Sequence, residues 1–292
     1  MVTFQTLENI SLAEITGVFN LAFSDYIVPL KLTEDQLADK IISDNIKLEY
    51  SVGAFENKKL VGFILHGYGL VNGKKVVYNA GTGVIPANRG HKLTNRMYDF
   101  ILPALQLQHI EKVLLEVITE NKPAILSYEK AGFKTVRKLS CFKGELKQDE
   151  IYNVDYEIRS LENYDWERLQ SFWDWQPTWP NSIMAAENLK RSNTSIGIFL
   201  QNVLTGYLVY NSKTKRIQQF AIDKGHRNQG LAKKLFNHIA TNYDPNITII
   251  NIPADATSSI KLMERLGLEN YINQFEMELC LNKNEHDEQN KY

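Results

Sequence analysis

Residues 11–23 place Leu12, Ile15, Val18, Phe19 and Ala22 three and four positions apart, the period of a helix with one buried face. A short strand is expected before it, over residues 3–7. Thr33-Glu34-Asp35-Gln36 is a capping box that opens a second helix. Three runs then read as an antiparallel meander, over residues 50–55, 60–70 and 74–84. Asn72-Gly73, between the last two, is the preferred pair for a tight hairpin turn. A helix over residues 90–108 follows, with Leu93, Met97, Ile101 and Leu105 at spacing four. Residues 112–118 form a strand that is apolar after Lys112 except at Glu116. Asn121 caps a short helix with Pro123 in its first turn and Gly132 at its end. A strand over residues 134–142 closes the first half.

The second half repeats this order in shorter form. Strands are expected over residues 156–161, 194–200, 205–210, 216–222, 247–252 and 274–281. Helices are expected over 165–173, 182–188, 228–243 and 257–266, the third with Leu231, Leu235 and Ile239 on one face. Two landmarks recur. Arg89 lies 43 residues before Gly132, and Arg227 lies 40 before Gly267. The fold class is therefore α+β, two tandem domains each with a mixed, mostly antiparallel twisted sheet flanked by helices. The boundary falls in the polar stretch 144–155, giving domains 1–146 and 150–283 and a disordered tail over 284–292.

Composition narrows the function. The 292 residues are 43% hydrophobic and 23% charged, which excludes a disordered or collagen-like chain. Lys plus Arg is 33 against 34 Asp plus Glu, so no basic footprint for nucleic acid exists at the level of the chain. No apolar run is long enough to span a bilayer, and Met1–Gln5 lacks the features of a secretory leader. Cys141 and Cys280 form no CxxC and read as reduced thiols in a cytoplasmic protein. The six histidines have no metal-ligand spacing, and no Walker loop or Gly-x-Ser-x-Gly is present.

The chemistry concentrates in Arg227-Asn228-Gln229-Gly230-Leu231-Ala232, between a strand and a helix. Gly230 and Ala232 leave the backbone open, and the first N–H groups of the helix favour an anion such as a pyrophosphate. A glycine used only for packing is the alternative reading of the loop taken alone. The pattern Arg-x-x-Gly-x-Ala resembles the pyrophosphate loop of the GCN5-related N-acetyltransferase (GNAT) superfamily. The resemblance extends over nearly the whole chain, which looks like a tandem GNAT. It implies acetyl-coenzyme A as cofactor, held by Arg227 to Ala232 with the strand backbone at Ile222. In the first half it implies Arg89-Gly90-His91-Lys92-Leu93-Thr94 and the backbone at Val84 and Ile85. Lys92 and Thr94 depart from the motif. The lysine either adds charge beside the phosphates or obstructs the loop.

Asn121, Ala124, Tyr128 and Gly132-Phe133 resemble the family's Asn-x-x-Ala-x-x-x-Tyr-x-x-x-Gly-Phe. By that resemblance Asn121 contacts the cofactor and Tyr128 protonates the departing thiolate. Glu116 is the candidate base, because an ammonium has no lone pair with which to attack a thioester. Its twelve-residue spacing to Tyr128 matches GNATs resembling the ribosomal-protein alanine acetyltransferases. The corresponding residues of the second half, Asn251 and Met263, can do no acid–base work. The first half is thus expected to be catalytic, and the second a cofactor-binding or structural relative. Asp25 and Tyr26 are the candidates for holding an amine acceptor, either a small molecule or a peptide. The cluster Trp166, Trp173, Trp175 and Trp179 suits either a stacked ligand or packing. The competing function is a coenzyme A-binding sensor or interaction protein without turnover. The oligomeric state is not encoded in any pattern here.

Overall fold

The computed structural model describes residues 1–147 and 156–281. The boundary residues 148–155 and the tail 284–292 lie outside the described residues.

Two compact units divide the chain: Met1–Arg137 with the chain from Phe275 onward, and Lys138–Gln274. The N-terminal unit begins with β1 (Val2–Thr6), α1 (Leu12–Ala22) and α2 (Glu34–Ser43). The meander β2 (Val52–Glu56), β3 (Lys59–Val71) and β4 (Lys74–Val84) follows, then α3 (Leu93–Leu107), β5 (Lys112–Ile118) and α4 (Lys122–Lys130). β6 (Lys134–Glu145) carries the chain onward. The C-terminal unit contains β7 (Glu157–Ser160), α5 (Trp166–Ser171), α6 (Ile183–Asn188), β8 (Asn193–Leu200), β9 (Val203–Asn211) and β10 (Arg216–Ile222). It goes on through α7 (Leu231–Asn242), β11 (Asn246–Pro253) and α8 (Thr257–Arg265) into β12 (Glu269–Cys280). The fold is α+β, as expected.

The division into units differs from a cut at 144–155, because it falls inside β6 and inside β12. In the N-terminal unit the strand beside β5 is β12, from the far end of the sequence. In the C-terminal unit the strand beside β11 is β6, running antiparallel from Leu139 to Glu145. Hydrophobic pattern specifies a strand, not the edge to which it adds.

Each sheet carries helices on both faces. In the N-terminal unit Val113, Leu115 and Val117 of β5 pack with Met97 and Ile101 of α3 and Ile125 and Tyr128 of α4. On the other face Ile15 and Phe19 of α1 and Leu37 of α2 pack with Phe63 and Leu65 of β3. The C-terminal unit repeats this with Leu235 and Phe236 of α7 on one face and Leu169 of α5 on the other.

Two features of the sheets make the sites. First, β4 carries an extra residue at Ala80, since Leu65 faces Gly81 while His66 faces Asn79. β10 carries the matching extra residue at Gln218, with Tyr210 facing Ile217 and Val209 facing Gln219. Such bulges bend a strand away from its neighbour. Second, the parallel neighbours then part. β4 and β5 pair only over Val76–Tyr78 with Lys112–Leu114, and β10 and β11 only at Arg216 with Thr248.

Candidate functional site

The two loops have the same backbone. Gly90 and Lys92 take φ of 83° and 54°, and Asn228 and Gly230 take 59° and 79°. These left-handed residues delay the helices, so α3 and α7 start at Leu93 and Leu231, later than the expected 90 and 228. Helices α1, α2, α4, α5 and α6 each have a side-chain cap. α3 and α7 have none, so no side chain occupies their first N–H groups. A run of outward N–H groups after left-handed residues is an anion-binding concavity. Lys92 therefore leaves the loop geometry intact, and its side chain is exposed, as is that of His91.

The side chains of the motif arginines tie each loop to the rest of its unit. Arg89 donates to the carbonyls of Val84 (3.2 Å) and Ala22 (2.9 Å) and grips both oxygens of Asp25 (2.6 and 2.8 Å). Arg227 repeats this with Ile222 (3.3 Å), Phe172 (2.9 Å) and Asp174 (3.1 Å). Each guanidinium ties its loop to the chain that follows the first helix of its unit. Both oxygens of Asp25 are engaged, and Arg89 holds its carboxyl below the usual range. Asp25, expected at the amine, is thus ion-paired with Arg89 while its side chain stays exposed. Gln229 is likewise taken, accepting from the Tyr156 hydroxyl at 2.8 Å.

The strand backbones are better placed for a ligand. Ile85 N–H donates to Val61 and Asp223 N–H to Thr205. In antiparallel pairing, Val84 and Ile222 then turn their own N–H groups away from β3 and β9, toward the side where β5 and β11 have parted.

In the N-terminal unit Glu116 alternates with Leu115 and Val117, so it lies on the face opposite Tyr128. Tyr78 of β4 faces Leu114, two residues before Glu116 on the same face, and its hydroxyl donates to Glu116 Oε2. Burial pushes the Glu116 carboxyl up to about 8; the Tyr78 bond opposes this, and the charges of Glu276 and Asp44 add to it. Glu276 is itself buried against Arg137, at 2.5 Å. Tyr128 is 8% exposed. Burial raises its phenol to about 12, with Thr82 and Asn79 as hydrogen-bond neighbours and Tyr26 nearby. Asn79 in turn donates to Tyr98 (2.7 Å) and Thr82 (2.8 Å). Asn121 caps α4 through Ala124 N–H (3.3 Å) and meets the Tyr26 hydroxyl. The structure thus gathers Tyr26, Asn121 and Tyr128 and leaves Asp25 outside.

Three residues here carry polar groups that the sequence reading does not single out: Tyr78, Tyr98 and His66. His66 is fully buried, with Nδ1 on the Tyr50 carbonyl (2.7 Å) and Nε2 without a partner. Burial lowers its pKa to about 4, so it is neutral.

In the C-terminal unit Asn251 takes the place of Glu116 at φ 65°, donating to Thr178 Oγ1 at 3.0 Å. Met263 is fully buried core, and Ala256 gives α8 no side-chain cap. What this unit has is space. A cavity of about 630 Å³ opens between β10 and β11 and reaches the loop at Arg227, Asn228 and Gly230. Trp173 and Trp175 line it; Trp179 is buried and Trp166 donates to Glu187 (2.6 Å).

A model of the acetyltransferase (GNAT) family matches residues 15–133 and 159–268. The chain belongs to the acetyltransferase (GNAT) family. None of the curated protein sequences matches this one. Similar solved structures include a tandem GNAT protein from the clavulanic acid biosynthesis pathway, solved without acetyl-coenzyme A, at TM-score 0.72 and 12% identity, covering 98% of this chain and 100% of that one. A GCN5-related N-acetyltransferase from Sphaerobacter thermophilus gives 0.69 and 12%, covering 97% and 96%. Another from Anabaena variabilis gives 0.61 and 14%, covering 97% and 73%. At these identities the likeness is one of fold. Two GNAT units in one chain account for the repeated loop, bulge and clamp. Among the described residues of this GNAT chain no helix is long and apolar enough to cross a membrane.

Proposed function

We propose that the N-terminal unit transfers an acetyl group from acetyl-coenzyme A to a primary amine by direct attack. The observation that carries this reading is the pair flanking the gap between β4 and β5. A carboxyl with pKa about 8 lies on one face and a phenol with pKa about 12 on the other. The thioester supplies a carbonyl carbon open to attack and a sulfur leaving group. Ionised Glu116 takes the proton from the attacking amine on the α2 face. The Val84 N–H meets the negative charge that develops on the carbonyl oxygen. Tyr128 delivers its proton to the departing sulfur from the α4 face. Burial disfavours a free thiolate as it disfavours a phenolate, so the proton is needed there. The N–H groups at Leu93 and Thr94 and the exposed charge of Lys92 suit the pyrophosphate. Tyr26, beside Tyr128, borders the acceptor.

The test is release of free thiol from acetyl-coenzyme A with a panel of small-molecule and peptide amines. Tyr128→Phe and Glu116→Gln should each remove turnover while acetyl-coenzyme A still binds. Unchanged turnover in both would sink the assignment.

A second reading concerns the C-terminal unit, favoured by the cavity that joins its loop. This unit holds coenzyme A without turning it over, since Asn251 and Met263 replace the acid–base pair. Calorimetric titration distinguishes the two units: Gly230→Trp should remove one coenzyme A site per chain and leave another.

A further inference from the structure

A polar cluster stands on the α3 and α4 face of the N-terminal unit. Asn79, the residue of β4 just before its bulge, accepts the Gly81 N–H through Oδ1 at 3.0 Å. That bond fixes which end of the amide is free to donate. Nδ2 gives one hydrogen to the Tyr98 hydroxyl at 2.7 Å and the other to the Thr82 hydroxyl at 2.8 Å. Tyr98 is 1% exposed and has Thr82 as its other hydrogen-bond neighbour, so its own hydrogen goes to Thr82 Oγ1. Thr82 Oγ1 accepts from both and keeps its own hydrogen, which the Tyr128 oxygen is placed to accept. The rings of Tyr98 and Tyr128 meet edge-on, with centroids 6.4 Å apart. The hydrogen bonds therefore run one way, from Asn79 through Tyr98 and Thr82 to Tyr128.

The C-terminal unit shows that the fold does not need this polarity. Ile217 stands just before the bulge of β10, where Asn79 stands in β4. Phe236 is the sixth residue of α7, as Tyr98 is of α3. Phe220 lies seven residues before Arg227, as Thr82 lies seven before Arg89. Met263 stands in the place of Tyr128. Ile217, Phe236 and Met263 are buried core, and Phe220 packs edge-on against Phe236 at 5.2 Å. Four polar side chains of one unit are thus four apolar ones in the other. Burying polar groups costs free energy that apolar packing at the same positions does not. That cost is met only in the unit that has a phenol at the end of the chain of bonds. We propose that Asn79, Tyr98 and Thr82 position Tyr128 so that its proton points at the departing sulfur. This rests on the reading of Tyr128 as the acid. With the Thr82 O–H donated to the Tyr128 oxygen, the phenol keeps its own hydrogen for the thioester. As the C–S bond breaks, the electron pair stays on sulfur and the Tyr128 proton moves there. The phenolate left behind holds the Thr82 hydrogen bond until solvent returns a proton, while Glu116 releases the amine's proton to solvent.

Kinetics and acetyl-coenzyme A binding on the full chain test this. Thr82→Val removes the hydroxyl at nearly constant shape. It should lower kcat about 10- to 100-fold and leave the Kd for acetyl-coenzyme A unchanged. Thr82→Ser keeps the hydroxyl and should recover most of the rate. Tyr98→Phe should lower kcat about threefold. Phe236, at the matching position of the other unit, shows that the fold accepts that ring without its hydroxyl. The deciding measurement is made in Tyr128→Phe, on its residual single-turnover rate. There Thr82→Val and Tyr98→Phe should have no further effect, because the phenol through which they act is gone. Losses that add to that of Tyr128→Phe show a structural role and overturn the proposal. A wild-type kcat in Thr82→Val, beside a disabled Tyr128→Phe, overturns it as well and leaves Tyr128 as the acid. If Thr82→Val does not fold, Tyr98→Phe carries the same two comparisons. Full turnover in Tyr128→Phe overturns the reading of Tyr128 as the acid.

Discussion

Arg89 and Arg227 make the same three contacts in their own units: the end of the fourth strand, a carbonyl at the end of the first helix, and an aspartate beyond it. Glu116 and Asn251 occupy one position on equivalent strands and differ in everything that matters for proton transfer. The first is a carboxyl poised near neutrality beside Tyr78, and the second an amide locked to Thr178. What survives between the two units is backbone geometry: a bulge, a pair of left-handed residues, an uncapped helix. What diverges is side-chain chemistry. A backbone site tolerates Lys92 where the other loop has Gly230, because N–H donors do not depend on the side chain. An acid–base pair tolerates no such exchange.

The largest expected effect breaks that contrast directly. Glu116→Gln and Tyr128→Phe should each cut turnover by about 10²- to 10⁴-fold. Asn251→Ala and Met263→Leu should leave it within about twofold, since neither residue has a proton to move. Steady-state kinetics with a responsive amine reads both, and a loss confined to the C-terminal variants would reverse the roles of the units.

The pH profile sharpens the same contrast. A base with pKa about 8 is ionised in about a tenth of molecules at pH 7, so kcat/KM should rise about tenfold per pH unit toward about 8 and then level. No fall should follow below pH 10, because burial keeps Tyr128 protonated to about 12. Glu276 raises the Glu116 pKa through its charge, so Glu276→Gln should move the midpoint downward. An unmoved midpoint would show that another group sets it. Glu276 reaches this site only because β12 completes the N-terminal unit.

The same carboxyl has a stability signature that its counterpart Asn251 cannot have. Its folded pKa lies above the ordinary value of 4.5. The associated stability is therefore fully present below pH 4.5 and is lost as pH rises through about 8. Glu116→Gln cannot ionise, so it should be about 2–4 kcal/mol more stable than the wild type at pH 9 and near parity at pH 4. His66 acts in the opposite direction. With its pKa lowered to about 4, it withdraws stability as pH falls below 6.5. Urea titrations at pH 4, 7 and 9 separate the two, and an unstabilised Glu116→Gln at pH 9 would mean the carboxyl is not held neutral.

Much of this was legible before any coordinates. The helix and strand periods locate nearly every element, and the repeat of Arg-x-x-Gly with Gly132 and Gly267 announces two like units. Glu116 stands out as a lone carboxylate on an apolar strand, and Asn121, Tyr128 and Gly132-Phe133 share one helix and its exit. What was hidden depends on contacts distant in sequence. Asp25 lies 64 residues from Arg89, and nothing local shows that its charge is already matched. Tyr78, Tyr98 and His66 sit in apolar runs and look like core until their polar atoms are traced. The exchange of β6 and β12 is invisible for a further reason: alternation tells which face of a strand is buried, and nothing about the strand beside it.

The smallest effect tests the loops themselves. Lys92 and Gly230 share a left-handed conformation, at φ 54° and 79°. A side chain there costs about 1–2 kcal/mol that glycine avoids, less the extra freedom glycine gives the unfolded chain. Lys92→Gly should then stabilise by about 0.5–1 kcal/mol, and Gly230→Lys should cost a similar amount. No atom lies within contact distance of a Cβ added at Gly230, so the cost is conformational rather than steric. Function should move the other way. Lys92 places an exposed positive charge at an anion concavity, and removing it should raise the KM for acetyl-coenzyme A about two- to threefold with kcat unchanged. A lower KM in Lys92→Gly would show instead that the lysine obstructs its loop. On the function proposed above, the N-terminal unit would then have kept its proton chemistry at the expense of its grip on the cofactor.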